Sequence, residues 1–467
     1  MSGTGAPLRG AASAVGRLDA PAGAYVHVPF CAWICPFCPY NKVRADPDLA
    51  ERYFAALARE VDSIETAHRR RFGRSFDSVY VGGGTPTLYP DALGDLLERL
   101  PTSGDRAVEV LPTHGTPEGL DRLAAAGFTA VSIGAQSFHD EVLRHLGRPH
   151  DAEAARSAME SAIGRFDCVD VDLIVDVALE SAGEDSVAPP GAFLSDVEAC
   201  FDAGVDQLST YPLMRFGYTP FGRAPHLRAR EHAVLRQVTG LARRMGYERR
   251  SVWTFNRAGA PAYTSITRRR FLGMGAGASS VTGRDFLVNH FGLRSYLAAV
   301  DADHLPLARL LHLGRWGGAA YDAFWQAYAG GLSPTTLADA YGRPVGALAR
   351  AALEPARWAG LLRSAEGDLR LTARGLDAFH DLERAVTYQL IEPLWAEMLQ
   401  EHAAEGDDTA PSCPPRASCR PVGTAHEAAG PAPGSAWVRQ GAGRSGRLWR
   451  LTRRWAEREP DWSGSPG

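Results

Sequence analysis

Residues 25–43 read YVHVPFCAWICPFCPYNKV. The apolar, β-branched opening, Tyr25–Val28, predicts a strand. Three cysteines follow on the loop it runs into: Cys31, Cys35 and Cys38, spaced C-x3-C-x2-C. Thiolates are the usual ligands of iron–sulfur clusters, and four of them make the common full set. Three on one loop hold three corners of a cubane and leave one iron open to the amine and carboxylate of a cofactor or substrate. The same sulfurs suit zinc with His27 as fourth ligand, since structural zinc sites close with four. The other cysteines, Cys168, Cys200, Cys413 and Cys419, are scattered. A tight cluster of this kind speaks for metal or redox chemistry in a reducing compartment and against a disulfide framework.

Outward from that loop, β-rich runs alternate with helical patterns. The runs are AYVHV (24–28), SVYVGG (78–83), AVEVL (107–111), AVSIG (130–134), VDVDLIVDV (169–177) and QLSTY (207–211). Helical stretches such as 49–68, 152–163 and 194–203 lie between them. Six strands alternating with helices predict parallel βαβ units, and their apolar character predicts burial on both faces. If the sheet follows barrel logic, chemistry sits where strands end and loops begin.

The chain has 467 residues, 45% apolar and 22% charged, which excludes wholesale disorder. Its net charge of −4 argues against a general nucleic-acid binder. No apolar run reaches the roughly 18 residues of a membrane span. The first 23 residues lack an apolar signal region and are expected to form a disordered leader. The partial barrel is expected over 24–246. A connecting segment with a Gly-rich loop (FLGMGAGASS) is expected over 247–300, and a mostly helical domain over 301–400, with Trp316, Trp325, Trp358 and Trp395 in its core or interfaces. DLRLT (368–372) reads as a strand leading into the helix ARGLDAFHDLERAV. Residues 401–467 hold 8 Pro and 9 Gly and no Ile, Phe or Tyr, so a disordered tail is expected. The expected location is the cytoplasm, with no membrane or nucleic-acid partner.

Further polar groups fall at the expected strand ends. VGGGTPT (81–87) closes the second strand, where glycines let backbone approach a ligand closely. Gln136 ends the fourth strand in GAQSF, Arg148 follows it, and Asp172 lies in VDLIVD. Together with the cysteine spacing and Phe37 before the third cysteine, these segments resemble the radical S-adenosylmethionine (SAM) superfamily, in its oxygen-independent coproporphyrinogen III oxidase-like (HemN-like) branch. The resemblance implies an α/β fold with a partial (β/α)6 barrel of TIM type. It implies a 4Fe-4S cluster on Cys31, Cys35 and Cys38, and SAM among Tyr25, Phe37, Gly83, Gly84, Thr85, Gln136, Arg148 and Asp172. A second SAM is implied near Met214 and Ser279. A small-molecule substrate and an electron donor such as flavodoxin or ferredoxin are the implied partners.

Within that branch, coproporphyrinogen oxidases carry another cysteine where Tyr40 stands, and an acidic SAM ligand at the third strand's end, where Leu111 is read. The DLIYGLP-type strand end is DLIVDVA here, with Asp176 and Ala178. The haem chaperones' HNxxYW motif is missing from AYTSITRRRFLGMGAGASS (262–280). That last segment and STYPL (209–213) resemble the class C radical SAM methylases. The resulting expectation is C-methylation or cyclopropanation of an sp2 carbon in a natural-product intermediate, with two SAM molecules. Tetrapyrrole chemistry, whether coproporphyrinogen oxidation or haem degradation, and haem chaperoning are the alternatives. Tyr25 and Tyr211 are candidate catalytic groups. His114, Tyr211 and Arg268–Arg270 are candidate acid, base or anion contacts.

Overall fold

The computed structural model describes residues 7–175, 191–223, 228–261, 269–365 and 368–404. Its centre is a single twelve-stranded sheet. In chain order the strands are β1 (Gly23–Val28), β2 (Val79–Gly83), β3 (Arg106–Val110), β4 (Ala130–Gln136), β5 (Cys168–Ile174), β6 (Gln207–Tyr211), β7 (Tyr247–Arg249), β8 (Thr254–Arg257), β9 (Phe271–Met274), β10 (Ser279–Val281), β11 (Asp285–Asn289) and β12 (Leu307–His312). Their order across the sheet is β12-β11-β10-β9-β1-β2-β3-β4-β5-β6-β8-β7. The run from β9 to β6 is parallel, and both flanks are antiparallel. All six expected strands form and pair in sequence, which gives the parallel core of an α/β fold. Residues 247–300, expected as a connection, contribute β7–β11 to the same sheet.

Alternation along each strand sorts the two faces. Val26, Val28, Val79, Val81, Val108, Val110, Val131, Ile133 and Val169 pack with the helices in one large core. The opposite face is not the apolar surface expected from strand composition. It begins as a small layer of Tyr25, Tyr80, Ala107, Ala130 and Cys168. It then turns polar, with His27, Glu109, Ser132, Asp170, Asp172, Gln207 and Ser209. Register aligns these residues: Tyr25 faces Tyr80, Glu109 faces Ser132, Ser132 faces Asp170, and Asp172 faces Ser209. The interior face is thus apolar at one end of the strands and polar at the other.

Local chemistry sets the element ends. The helix Pro47–Phe72 starts with Pro in its first turn and an Asp46 carboxylate accepting from the Leu49 N–H at 2.9 Å, and it stops at Gly73 with φ 65°. Thr116 and Asp151 cap the helices Pro117–Ala125 and Ala152–Ala162 in the same way.

Residues 7–22, expected as part of a disordered leader, are folded. A helix spans Ala11–Gly16, and Leu8, Ala11, Ala14, Val15 and Leu18 are buried in the large core. Small apolar residues at helical spacing suffice where a groove beside Pro47–Phe72 receives them. The C-terminal part is mostly helical, with Gly314–Tyr328, Pro334–Tyr341, Arg343–Trp358 and Ala373–Val386 around a three-stranded sheet that includes Asp368–Leu371. Trp358 and Trp316 are not core residues there: they are 84% and 49% exposed. The helix Ala373–Val386 continues through a π-helical turn, Thr387–Ile391, into Glu392–Ala404. No helix among the described residues is long and apolar enough to cross a membrane. The tail from 405, the stretch 262–268 with Arg268, and Asp176 and Ala178 lie outside the described residues.

Candidate functional site

The three cysteines sit on one loop beyond the C-terminal end of β1. A two-residue parallel ladder, Phe30–Cys31 with Val43–Arg44, closes the loop at its base. Cys31 and Cys35 are buried and Cys38 is half-buried. Burial pushes the Cys31 thiol up to about 12 and raises that of Cys35. Thiolates at these positions therefore need a cationic partner, as an iron cluster provides. The protein's own polar contacts to sulfur are a hydroxyl from Thr85 on Cys31 (3.6 Å) and a guanidinium N–H from Arg148 on Cys35 (3.4 Å). Among the described residues no three His, Cys, Asp or Glu side chains converge on one point as a single ion requires. A cubane instead gives each cysteine its own iron.

His27 does not complete a zinc site, because both ring nitrogens are engaged. Nε2 donates to the Asn41 carbonyl at 2.9 Å, and Nδ1 therefore accepts from the Tyr25 hydroxyl at 2.8 Å. Burial keeps the ring neutral, its pKa lowered to about 4. Asn41 in turn donates to the carbonyls of Ala276 (3.2 Å) and Phe291 (2.9 Å). The Tyr53 hydroxyl donates to the His27 carbonyl (2.7 Å) and accepts from the Ala276 N–H (3.0 Å). The Gly-rich turn after β9 is thereby stitched to the cluster loop.

The glycine run after β2 passes directly beneath that loop. Gly84 donates to the Val28 carbonyl and Thr85 to the Phe30 carbonyl, both at 2.8 Å. A Cβ on Gly84 would lie 2.6 Å from the Phe30 carbonyl oxygen, so only glycine fits. Gly83, at φ 121°, donates to the Glu109 carboxylate at 3.1 Å. The Tyr80 hydroxyl donates to the same carboxylate at 2.6 Å. Leu111 is thus not the residue to read at the end of β3, and an acidic group is not missing. Glu109 lies two residues earlier, faces the interior, and has its pKa raised by burial.

Gln136 ends β4 with φ 70°, a conformation that a non-glycine residue adopts at a cost. Its amide nitrogen and the Arg148 guanidinium converge on Gly134, whose carbonyl accepts from Arg148 at 2.7 Å. The Arg148 guanidinium also lies over the Phe37 ring, 6.0 Å from its centroid. Asp172 accepts from the Ser132 hydroxyl at 2.8 Å. Asp170, on the same face, accepts from Ser209 and from Gln207 (3.0 Å). Burial raises both aspartates, and their mutual repulsion raises Asp172 further. Tyr211 is desolvated beside them, its pKa raised well above 10.

Cys31, Cys35, Cys38, Phe37, Tyr25, Gly83, Gly84, Thr85, Gln136, Arg148 and Asp172 lie on β1–β5 or on the loops and turns that follow these strands, with Arg148 against Cys35, Phe37 and Gly134 and Thr85 against Cys31. Met214 follows β6, while Ser279 lies in β10 on the far side of β1, paired with Val288. His114 is engaged by Thr87 at 2.8 Å. Arg269 and Arg270 bind Asp322, and Arg270 also binds Asp19, so they fasten the early chain to the helical part instead of facing the site.

The profile of the radical SAM superfamily matches residues 25–177. The chain carries a radical SAM domain. Its similarity continues beyond that domain. The heme chaperone HemW of Bacillus subtilis (strain 168) is 26% identical over 379 residues, which is 75% of this chain and 95% of that protein. The oxygen-independent coproporphyrinogen III oxidase of Pseudomonas aeruginosa is 26% identical over 327 residues, 62% of this chain and 68% of that one. The solved coproporphyrinogen III oxidase (HemN) of Escherichia coli superposes with a TM-score of 0.66 at 23% identity, covering 79% of this chain and 91% of that one. It shows that the fold is shared. These HemN-like relatives overturn the C-methyltransferase expectation: over most of the chain they are a heme chaperone and coproporphyrinogen oxidases. The methylase resemblance rested on the short stretches 209–213 and 262–280, part of the latter outside the described residues. A radical SAM domain implies a 4Fe-4S cluster and SAM, and the buried thiols and polar cradle described above fit both.

Proposed function

We propose that this radical SAM protein acts on a tetrapyrrole. The observation that carries the reading is the similarity to tetrapyrrole-handling relatives along most of the chain, joined to a loop of three cysteines with Arg148 and Thr85 against its sulfurs. When bound, the cluster and SAM supply one-electron chemistry that ends in hydrogen abstraction. The chain's own residues supply placement. Cys31, Cys35 and Cys38 would hold three irons. Gly83, Gly84 and Thr85 would offer backbone to the SAM amino group, while Gln136 and Arg148 would face its carboxylate. Glu109 and Asp172 would take the remaining polar groups of the same ligand. Tyr25 and Tyr211, both desolvated, line the interior and help exclude water, which a reactive carbon centre requires. A one-electron donor such as a flavodoxin or ferredoxin is required.

The test is anaerobic reconstitution with iron and sulfide, then incubation with SAM, dithionite and coproporphyrinogen III. Formation of 5′-deoxyadenosine that rises with the tetrapyrrole, together with loss of carboxyl mass from it, is expected. Equal SAM cleavage with and without tetrapyrrole, and no binding of hemin, would overturn the reading. Haem chaperoning is the second reading, favoured by the near-complete coverage of the Bacillus relative. It predicts a Soret shift on adding hemin without tetrapyrrole-dependent SAM cleavage.

A further inference from the structure

Two aromatic residues from distant parts of the chain meet at the rim of the site. Tyr40 lies two residues beyond Cys38, and Trp395 lies on the helix Glu392–Ala404. Their rings are 5.8 Å apart and tilted by 56°. Tyr40 is 45% exposed, large for a tyrosine this close to a cluster loop. Its backbone is tied to the cluster loop, the Lys42 ammonium donating to both the Tyr40 carbonyl (3.3 Å) and the Cys38 carbonyl.

Trp395 is held in place. The Gly217 N–H donates to Glu392, and the Arg215 N–H donates to the Tyr388 hydroxyl at 3.1 Å. Phe216 meets the Trp395 ring at 6.0 Å and the Tyr388 ring at 5.7 Å, both edge-on. Further along the same helix, Met398 is 2% exposed against Val288 and Phe291. The helix therefore runs from the segment after β6 to the segment after β11, across the mouth of a sheet that does not close. The Tyr218 hydroxyl buttresses the cluster loop through the Pro39 carbonyl at 3.2 Å.

We propose that Tyr40 and Trp395 are specificity-determining residues, forming the aromatic wall on which a planar tetrapyrrole such as haem lies beside the cluster loop. This rests on the tetrapyrrole reading above. Two fixed, tilted aromatic faces suit a planar macrocycle by offset stacking and edge contact. Tyr40 lies two residues from Cys38 on the same loop, so a ring held on this wall would lie beside the cluster end of the site. The nearby cation, Lys42, is occupied by the Tyr40 carbonyl (3.3 Å) and the Cys38 carbonyl, which leaves the wall itself uncharged.

The test uses the full chain reconstituted with its cluster, titrated with hemin and with metal-free coproporphyrin III and followed by absorption. W395A and Y40A are expected to weaken both macrocycles at least tenfold, and W395F to stay within about threefold of wild type. SAM affinity and the electron paramagnetic resonance spectrum of the reduced cluster are expected to be unchanged in all three. Wild-type macrocycle affinity in W395A and Y40A overturns the proposal alone. Parallel loss of SAM affinity and cluster signal in W395A, without rescue by W395F, also overturns it, because the wall would then be only structural. Failure of the wild-type protein to bind either macrocycle overturns the proposal together with the tetrapyrrole reading.

Discussion

Arg148 ties the cluster loop to the sheet: one guanidinium nitrogen donates to Cys35 Sγ at 3.4 Å while another donates to the Gly134 carbonyl at 2.7 Å. A lysine has one nitrogen and cannot span both acceptors. R148K is therefore expected to keep the fold and weaken SAM binding by about 2 kcal/mol, roughly thirtyfold, the order of a lost hydrogen bond from a charged donor. Calorimetric titration of the reconstituted protein checks this. Unchanged affinity would show that Arg148 does not shape the ligand cradle.

Gln136 separates a backbone demand from a side-chain demand. Its φ of 70° favours glycine. Q136G is expected to leave the melting temperature equal to or above that of wild type while SAM affinity falls at least tenfold. Q136A, which keeps the strain and loses the amide, is expected to lower both. A Q136G protein that binds SAM normally would remove the amide from the site.

Gly84 and Gly94 form a matched pair. A Cβ at Gly84 meets the Phe30 and Pro29 backbone at 2.6–2.9 Å, whereas at Gly94 the nearest atom is 3.7 Å away. G84A should displace the cluster loop, cost about 1–3 kcal/mol by overpacking, and lower iron retained per chain. G94A should do neither. Iron and sulfide assay with thermal melts of both variants decides the point.

Glu60 predicts a pH dependence. It is 2% exposed and accepts from the Gly275 N–H (2.9 Å), Asn289 (2.8 Å) and the Tyr296 hydroxyl (2.6 Å), yet burial still raises its pKa to about 7. The folded state then binds more protons than the unfolded chain between the ordinary carboxyl value and about 7. Its contribution to stability is full at low pH and is lost as pH rises through that window. At about 1.4 kcal/mol per unit, the loss is on the order of 3 kcal/mol. Urea midpoints at pH 5, 6, 7 and 8 should fall more steeply for wild type than for E60Q. Parallel curves would refute the assignment.

The parallel core was legible because its strands are short, β-branched and separated by capped helices. The cluster loop was legible because three cysteines in eight residues have few physical uses. Glu109 was missed for a reason of register. Counting to the end of AVEVL puts Leu111 at the strand terminus, but alternation turns residue 109, and not 111, inward at the Gly83 level. Asp172 was legible as a polar group near a strand end, whereas Asp170 was hidden in VDVDLIV, a run that scores as apolar although residues 170 and 172 are acidic and share a face. The folding of Leu8–Leu18 depends on a groove made by distant helices, which local sequence does not display. Nothing in residues 387–404 alone announces that Trp395 reaches Tyr40, because that meeting depends on the helix crossing an unclosed sheet.

The small ladder joining Phe30–Cys31 to Val43–Arg44 carries one more consequence. It draws the cysteine loop shut like a purse-string, with Val43 N–H on the Pro29 carbonyl at 2.8 Å and Ala45 N–H on the Cys31 carbonyl at 2.9 Å. The entropy of gathering the three thiols is then spent during folding, not during metal capture. The loop therefore offers the thiols as a shaped container whose closure depends on backbone hydrogen bonds and not on what the sulfurs hold.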